Sequence, residues 1–179
     1  MRVLHVGCGP SRVPEVIFSP AEWTEVRLDI DPGVKPDIVA SITSMPVEDA
    51  SVQAVYSAHN LEHLAPWEVP QALAEFRRAL APGGFVMVAV PDLQQAARRI
   101  ADGEGHAVAY EAPCGPITAF DIVFGWSRAT ASNAWMPHRC GFTLETLHEL
   151  LCAAGFKDVL VRSTAWQLEA VGVKDGNGA

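Results

Sequence analysis

Several features that would assign this chain to a broad class are missing. It has only four cysteines and no Cys-x-x-Cys pair, so the sequence predicts neither a zinc ribbon nor a redox dithiol. No apolar run approaches the roughly 18 residues that a transmembrane helix needs. Strand-like residues begin at Arg2, where a secretory leader would show a basic and then an apolar stretch. We therefore expect a cytoplasmic protein without membrane insertion.

Basic residues are also scarce. The chain has 13 Lys and Arg against 21 Asp and Glu, a formal net charge of −8. Nucleic acids and anionic membranes are usually bound by a basic face, so neither is expected as a partner. A small-molecule substrate is the expected partner, and a homodimer stays open. The 179 residues suffice for a single domain over 1–179.

Motifs of other catalytic classes are absent as well. No His, Asp or Cys set has the spacing typical of metal ligands, so no metal is expected, and there is no Gly-x-Ser-x-Gly nucleophile elbow.

Periodic patterns along the chain predict an α/β fold. Apolar runs that alternate with helical patterns are typical of a mainly parallel sheet with right-handed crossovers. Helices are predicted at 67–80, 93–101 and 143–154, with Asp92 and Thr143 as caps of the last two. We expect a Rossmann-like three-layer sandwich whose seven-stranded, mostly parallel sheet ends in an antiparallel hairpin. The predicted strands are 2–6, 25–30, 36–40, 52–57, 85–90, 159–162 and 168–173.

The most informative stretch lies in the first thirty residues. The turn Gly7-Cys8-Gly9 follows the first strand, and Asp29 ends the second strand about 20 residues later. In a parallel sheet this spacing places a glycine loop beside a carboxylate at the carboxyl edge. Glycines let a ligand approach the backbone, and the carboxylate can accept hydrogen bonds from two ribose hydroxyls. The sequence thus predicts a ligand that contains adenosine.

The same loop argues against a dinucleotide. The third glycine of a dinucleotide fingerprint would stand near Arg12 and is missing, and Pro10 has no N–H to offer a phosphate. Both departures disfavour a nicotinamide-dependent oxidoreductase and favour an adenosine ligand without phosphates.

Residues 103–141 fit no regular pattern and are rich in proline, glycine and aromatic residues. Long irregular segments within a domain often serve as lids, so this insert is expected to cover the substrate site. Trp126 and Trp135 would form its apolar wall. His138 is a candidate general base, and Arg139 could hold a carboxylate or phosphate. We interpret both as candidate catalytic residues.

Five blocks, in a fixed order, resemble the motifs of one known family. They are VLHVGCGP at 3–10, RLDID at 27–31, SMPVED with VQAVYS at 44–57, AHNLEHL at 58–64 and RRALAPGGF at 77–85. The later VPDL at 90–93 and the pattern from His138 to Phe156 narrow the resemblance further. The chain resembles class I S-adenosylmethionine-dependent methyltransferases of the type 11, UbiE-like branch.

The resemblance implies a cofactor and a set of cofactor contacts. S-adenosyl-L-methionine would be the methyl donor, with Gly7, Cys8 and Gly9 along its methionine part. Asp29 would bind the ribose, and Ile30 would lie against the adenine.

Two further parts of the site follow from the resemblance. Relatives often place an acidic residue where Ser41 stands, so the Ser41 hydroxyl or the Ile42 backbone would contact the adenine amino group. His59 would lie at the floor of the active site, in contact with cofactor or substrate. Many relatives also have helices before the first strand, so here the insert or a partner subunit is expected to cover the cofactor.

The resemblance implies methyl transfer to an oxygen or nitrogen of a small molecule whose identity stays open. The neutral Ser41 and the small size leave a second reading, a catalytically silent module that binds an adenosine cofactor. A nicotinamide-dependent oxidoreductase is the third.

Overall fold

A computed structural model describes residues 1–131 and 133–176 of the chain. Seven strands form one sheet in the order β3-β2-β1-β4-β5-β9-β8, and β6 and β7 form a separate hairpin. The strands are β1 Arg2–Val6, β2 Thr24–Asp29, β3 Ile38–Val39, β4 Val52–Ala58, β5 Leu80–Pro91, β6 Val108–Ala112, β7 Gly115–Thr118, β8 Lys157–Ser163 and β9 Gln167–Val173.

The strand directions confirm the predicted fold class. Strands β1 to β5 pair in parallel, whereas β9 runs antiparallel to both β5 and β8. One strand of the final hairpin is therefore the reversed one, as expected. Strand β5 begins at Leu80, before the predicted start at 85, because Leu80 pairs with Val52 ahead of a bulge.

Two helices cover one face of the sheet. The helices are α1 Val69–Ala79, α2 Leu93–Ala101, α3 Ala119–Phe124, α4 Ser127–Thr130 and α5 Leu144–Ala153. Leu73 and Phe76 of α1 and Leu147 and Leu151 of α5 are fully buried, and they join the apolar strand residues in the main core. Asp92 and Thr143 cap α2 and α5 as predicted, because each side chain accepts backbone N–H groups of the first turn.

The opposite face has a thinner cover near β1 and β2. Residues 10–23, all of them described, contain turns and no helix. Phe18 packs there against Val3 and Ala54, with the rings of Trp23 and Phe85 at its sides. No helix N-terminus therefore follows the glycine loop.

The insert is more regular than the sequence indicated. The β6–β7 hairpin leads into α3, which begins at a capping box between Thr118 and Asp121. Ile117 and Ile122 pack with Ala96 of α2 in a small separate core. The short apolar segments of the insert are thus ordered by contact with α2, a contact that periodicity along 103–141 could not reveal.

Across residues 1–131 and 133–176, every helix is too short or too polar to cross a bilayer.

Candidate cofactor and substrate site

The glycine loop lies at the carboxyl end of β1, and both glycines have backbone angles that favour glycine. Gly7 has φ of 60° and Gly9 has φ of 49°. A Cβ at Gly7 would come within 2.2 Å of Asn60 Cγ, so the loop packs directly on the segment that follows β4. A Cβ at Gly9 would meet nothing within 4 Å. The loop is therefore closed toward Asn60 and open at Gly9, where a ligand can approach the backbone.

Asp29 ties the end of β2 to this loop. Its Oδ2 accepts the Gly9 N–H at 2.8 Å, and its Oδ1 accepts the Asp31 N–H at 2.9 Å. The side chain is held in place and only 8% of Asp29 is exposed. A carboxylate has about four lone-pair sites. Each oxygen thus retains capacity for one further hydrogen bond.

Arg27 is a structural residue of the site that sequence reasoning missed. Its Nη2 donates to the Gly9 carbonyl, and its Nη1 donates to the Lys35 carbonyl at 3.3 Å. The guanidinium is buried and links the glycine loop to the connection after β2. A cation between the apolar residues Val26 and Leu28 was the available signal, since a buried arginine needs such partners.

A second polar group lies under the loop. His5 Nδ1 is 2.7 Å from Glu25 Oε1, and the other Glu25 oxygen accepts Arg12 Nη1 at 2.9 Å. Burial lowers the pKa of His5, although Glu25 opposes that effect. These side chains join β1, β2 and the turn segment of residues 10–23.

The remaining predicted cofactor residues surround the same edge. Cys8 is buried, and burial raises the pKa of its thiol. Its backbone N–H and its carbonyl are both bonded within the chain. The side chain of Ile30 is exposed beyond β2, and that of Ile42 lies in the main core. Ser41 Oγ bonds Thr43 Oγ1 at 2.8 Å. These contacts leave the predicted roles of Ile30, Ser41 and Ile42 as predictions.

His59 lies just beyond β4, with a strained backbone φ of 50°. Its Nε2 is 3.2 Å from Gln167 Oε1, and its Nδ1 is 3.4 Å from Glu62 Oε1. The latter is an ion-pair distance without hydrogen-bond geometry. The Glu62 carboxylate raises the pKa of His59, because it stabilises the protonated ring.

Glu62 itself is 1% exposed. One ligand atom from each of Glu62, His63 and His138 lies within 4.8 Å of the others. The backbone N–H groups of Arg139 and Cys140 both donate to the Glu62 carbonyl, at 2.8 and 3.2 Å. The end of the insert is therefore fixed against the segment after β4. Sequence reasoning did not find this group, because 75 positions separate His63 from His138.

The other predicted insert residues lie apart from this group. Arg139 Nη1 is 3.5 Å from Glu68 Oε2 on an exposed side chain. Trp126 packs in the small core beside α2, and Trp135 is exposed. Among the predicted catalytic residues, the structure thus brings His59 and His138 around Glu62, and Arg139 points elsewhere.

A cavity of about 340 Å³ opens between the β6–β7 hairpin and the turn that joins β8 to β9. It is lined by His59, Tyr110, Ala112, Ala165, Trp166 and Gln167. Two aromatic rings and three polar groups suit a small organic molecule that carries a few hydrogen-bonding atoms. Tyr110 and Ala112 belong to the insert, so the insert contributes one wall.

Comparison with known proteins identifies what this arrangement is similar to. Residues 4–88 match the type 11 family model described as "Methyltransferase domain". A curated relative from Mycolicibacterium smegmatis, named "Probable S-adenosylmethionine-dependent methyltransferase", is 30% identical over 100 residues. That alignment covers 50% of this chain and 38% of the relative, so the chain spans well under half of the relative's length.

Solved structures share the fold at low identity. A Methanosarcina mazei protein titled as a SAM-dependent methyltransferase has a TM-score of 0.68 at 14% identity, covering 97% of this chain and 92% of its own. A Burkholderia thailandensis 1,6-didemethyltoxoflavin-N1-methyltransferase, solved with that compound and S-adenosylhomocysteine, has a TM-score of 0.59 at 18% identity. It covers 97% of this chain and 71% of its own. With the family match, these findings confirm the resemblance and the Rossmann-like fold drawn from the sequence.

Proposed function

We propose that the chain, whose residues 4–88 match the type 11 methyltransferase family model, transfers a methyl group from S-adenosylmethionine to a small molecule. The observation that carries this proposal is the pairing of the open Gly9 backbone with Asp29 at one sheet edge. A backbone without a side chain and a fixed carboxylate are what the amino acid and ribose parts of the cofactor need.

The residues present fit this cofactor better than a dinucleotide. The described turns at 10–23 offer no helix N-terminus to a pyrophosphate, which dinucleotide sites normally use. Asp29 keeps lone pairs for ribose hydroxyls, and Ile30 exposes an apolar side chain just beyond it. Gly7, Cys8 and Gly9 would line the methionine part of the cofactor.

When bound, the cofactor supplies a methyl group on a sulfonium, which is already a good leaving group. The chain then has to align an acceptor with that methyl group and exclude water. His59 lines the 340 Å³ cavity, and the Glu62 carboxylate raises the pKa of its ring, which makes the neutral ring a stronger base. It can accept a proton from an oxygen or nitrogen acceptor in the cavity.

We assign the acceptor to this cavity and the covering role to the insert of residues 103–141, within a single domain. Tyr110 and Trp166 offer apolar walls, and Gln167 offers an amide for orientation. The net charge of −8 favours an acceptor other than nucleic acid.

Methyl transfer to pools of small molecules tests the proposal. The intact chain, S-adenosylmethionine and each pool are incubated, and S-adenosylhomocysteine release is measured. We expect release that depends on both the pool and His59, so that His59→Ala loses most of the rate while still binding S-adenosylhomocysteine. Tight cofactor binding with no release from any pool would instead support the catalytically silent module.

A further inference from the structure

The group formed by Glu62, His63 and His138 has a composition that cofactor binding alone does not explain. Two imidazoles and one carboxylate are the ligand set of many catalytic zinc and non-haem iron sites. The structure assigns a binding site for a divalent transition-metal ion, zinc or a similar cation, to these three side chains.

The state of Glu62 is the first argument. The residue is 1% exposed, and neither carboxylate oxygen has a hydrogen-bond partner among the described residues. Burial of a carboxylate without such partners is strongly unfavourable unless a cation neutralises it. His59 is the nearest cation at 3.4 Å, but it is half exposed and lacks hydrogen-bond geometry. A metal ion would supply the missing charge and the missing ligand contact together.

The two histidines give the second argument. His63 Nδ1 lies 3.2 Å from the Pro137 carbonyl, and His138 Nδ1 lies 2.9 Å from the Ile122 carbonyl. A carbonyl only accepts, so both Nδ1 atoms carry the proton, and each Nε2 keeps its lone pair. Metal-binding histidines are commonly fixed in this way, with the second nitrogen bonded to a backbone carbonyl.

The space available is the third argument. The three ligand atoms lie within 4.8 Å of one another, whereas zinc is bound at about 2.0–2.2 Å. An ion bound by all three side chains therefore requires their ligand atoms to move closer together. Glu62 and His138 also line a cavity of about 10 Å³, roughly the space of one water molecule or ion.

A role for the metal site rests on the proposed function, because the site lies next to residues of the cofactor and acceptor sites. Glu62 is two residues from Asn60, which packs on Gly7, and its nearest cationic neighbour His59 lines the acceptor cavity. An ion held there would fix Glu62, and with it the neighbouring His59 ring, beside the acceptor cavity.

Zinc titration of the intact, EDTA-treated chain tests the site without reference to activity. Calorimetry should give one zinc ion per chain, and magnesium should not compete, because imidazole ligands favour zinc. Glu62→Gln and His138→Asn should each weaken zinc binding at least tenfold. The matched control is His106→Ala, an exposed histidine outside the group.

Cobalt(II) supplies an independent signature, since its visible spectrum reports a site of nitrogen and oxygen ligands. The spectrum should appear in the wild type and in His106→Ala and be lost in Glu62→Gln. Calorimetry with S-adenosylhomocysteine on the same variants checks folding and separates this proposal from the proposed function. No zinc binding by the wild type, or equal zinc affinity in Glu62→Gln, would overturn the assignment even if the cofactor binds.

Discussion

Asp29 Oδ2 accepts the backbone N–H of Gly9 at 2.8 Å, across 20 residues of sequence. The carboxylate predicted to bind the ribose thus also holds the loop predicted to bind the methionine part. The two halves of the cofactor site depend on one side chain.

Replacement of Asp29 should therefore weaken cofactor binding in two ways. Asp29→Ala loses hydrogen bonds to the ribose worth roughly 1.5–3 kcal/mol each and also releases Gly9. We expect the affinity for S-adenosylhomocysteine to fall at least ~10-fold. Asp31→Asn, which alters the neighbouring carboxylate, is the control and should bind nearly as wild type. An unchanged dissociation constant in folded Asp29→Ala would contradict the ribose role.

Replacement of two glycines with positive φ should lower the stability of the fold by different amounts. Gly7→Ala places a Cβ 2.2 Å from Asn60 Cγ at a φ of 60°, whereas Gly83→Ala at a φ of 77° meets nothing within 4 Å. Backbone strain costs both variants about 1–2 kcal/mol, and the clash adds about 1–3 kcal/mol at Gly7 alone. Urea unfolding should show the larger loss of stability for Gly7→Ala. Equal losses would mean that the Asn60 contact carries no energy.

An ion pair beside the core predicts acid sensitivity. Both Glu75 oxygens accept Arg78 nitrogens, at 2.7 and 2.9 Å, and Oε2 also accepts the Met45 N–H at 2.7 Å. Arg78 lowers the pKa of Glu75 despite the opposing effect of burial. A lowered folded-state pKa stabilises the fold above the ordinary value near ~4.3. That stability is lost as the pH falls through the lowered pKa.

Measurement of the free energy of unfolding between about pH 6 and pH 3, the range in which carboxylates titrate, checks the predicted acid sensitivity. Glu75→Gln should lower stability by about 1–2 kcal/mol at pH 6 and flatten the acid slope. Glu149→Gln on the exposed side of α5 should leave the slope as in the wild type. If Glu75→Gln leaves the fall in stability at acid pH unchanged, that fall comes from other carboxylates.

The position of the insert predicts that a substitution in it can impair acceptor binding without changing cofactor binding. Tyr110 lines the 340 Å³ cavity, whereas Phe124 in the same insert does not. Once an acceptor is known, Tyr110→Ala should raise its KM several-fold and leave the affinity for S-adenosylhomocysteine unchanged. Phe124→Ala should change neither quantity. A KM insensitive to Tyr110 would place the acceptor outside this cavity.

Local patterns predicted much of the fold. The N-caps Asp92 and Thr143 could be predicted from the sequence, because an N-cap depends only on its own side chain and the next few residues. The sheet was readable because buried parallel strands are apolar throughout. Gly9 and Asp29 were readable because a fixed spacing links them across one crossover.

Contacts between distant segments could not be predicted from the sequence. His138 meets Glu62 only because the insert folds back on the segment after β4, and nothing in the spacing encodes that return. Arg27 stands in a recognised motif, yet its bond to the Gly9 carbonyl depends on how the loop turns. The hairpin of the insert likewise becomes stable through packing on α2, which no single segment reveals.

Calorimetric titration of the intact chain with S-adenosylhomocysteine and, separately, with NAD distinguishes a methyl-donor site from a dinucleotide site. We expect one S-adenosylhomocysteine per chain, bound at least ~10-fold more weakly by Asp29→Ala, and no heat with NAD. Binding of NAD with equal or higher affinity, or the absence of S-adenosylhomocysteine binding by the folded chain, would contradict this expectation.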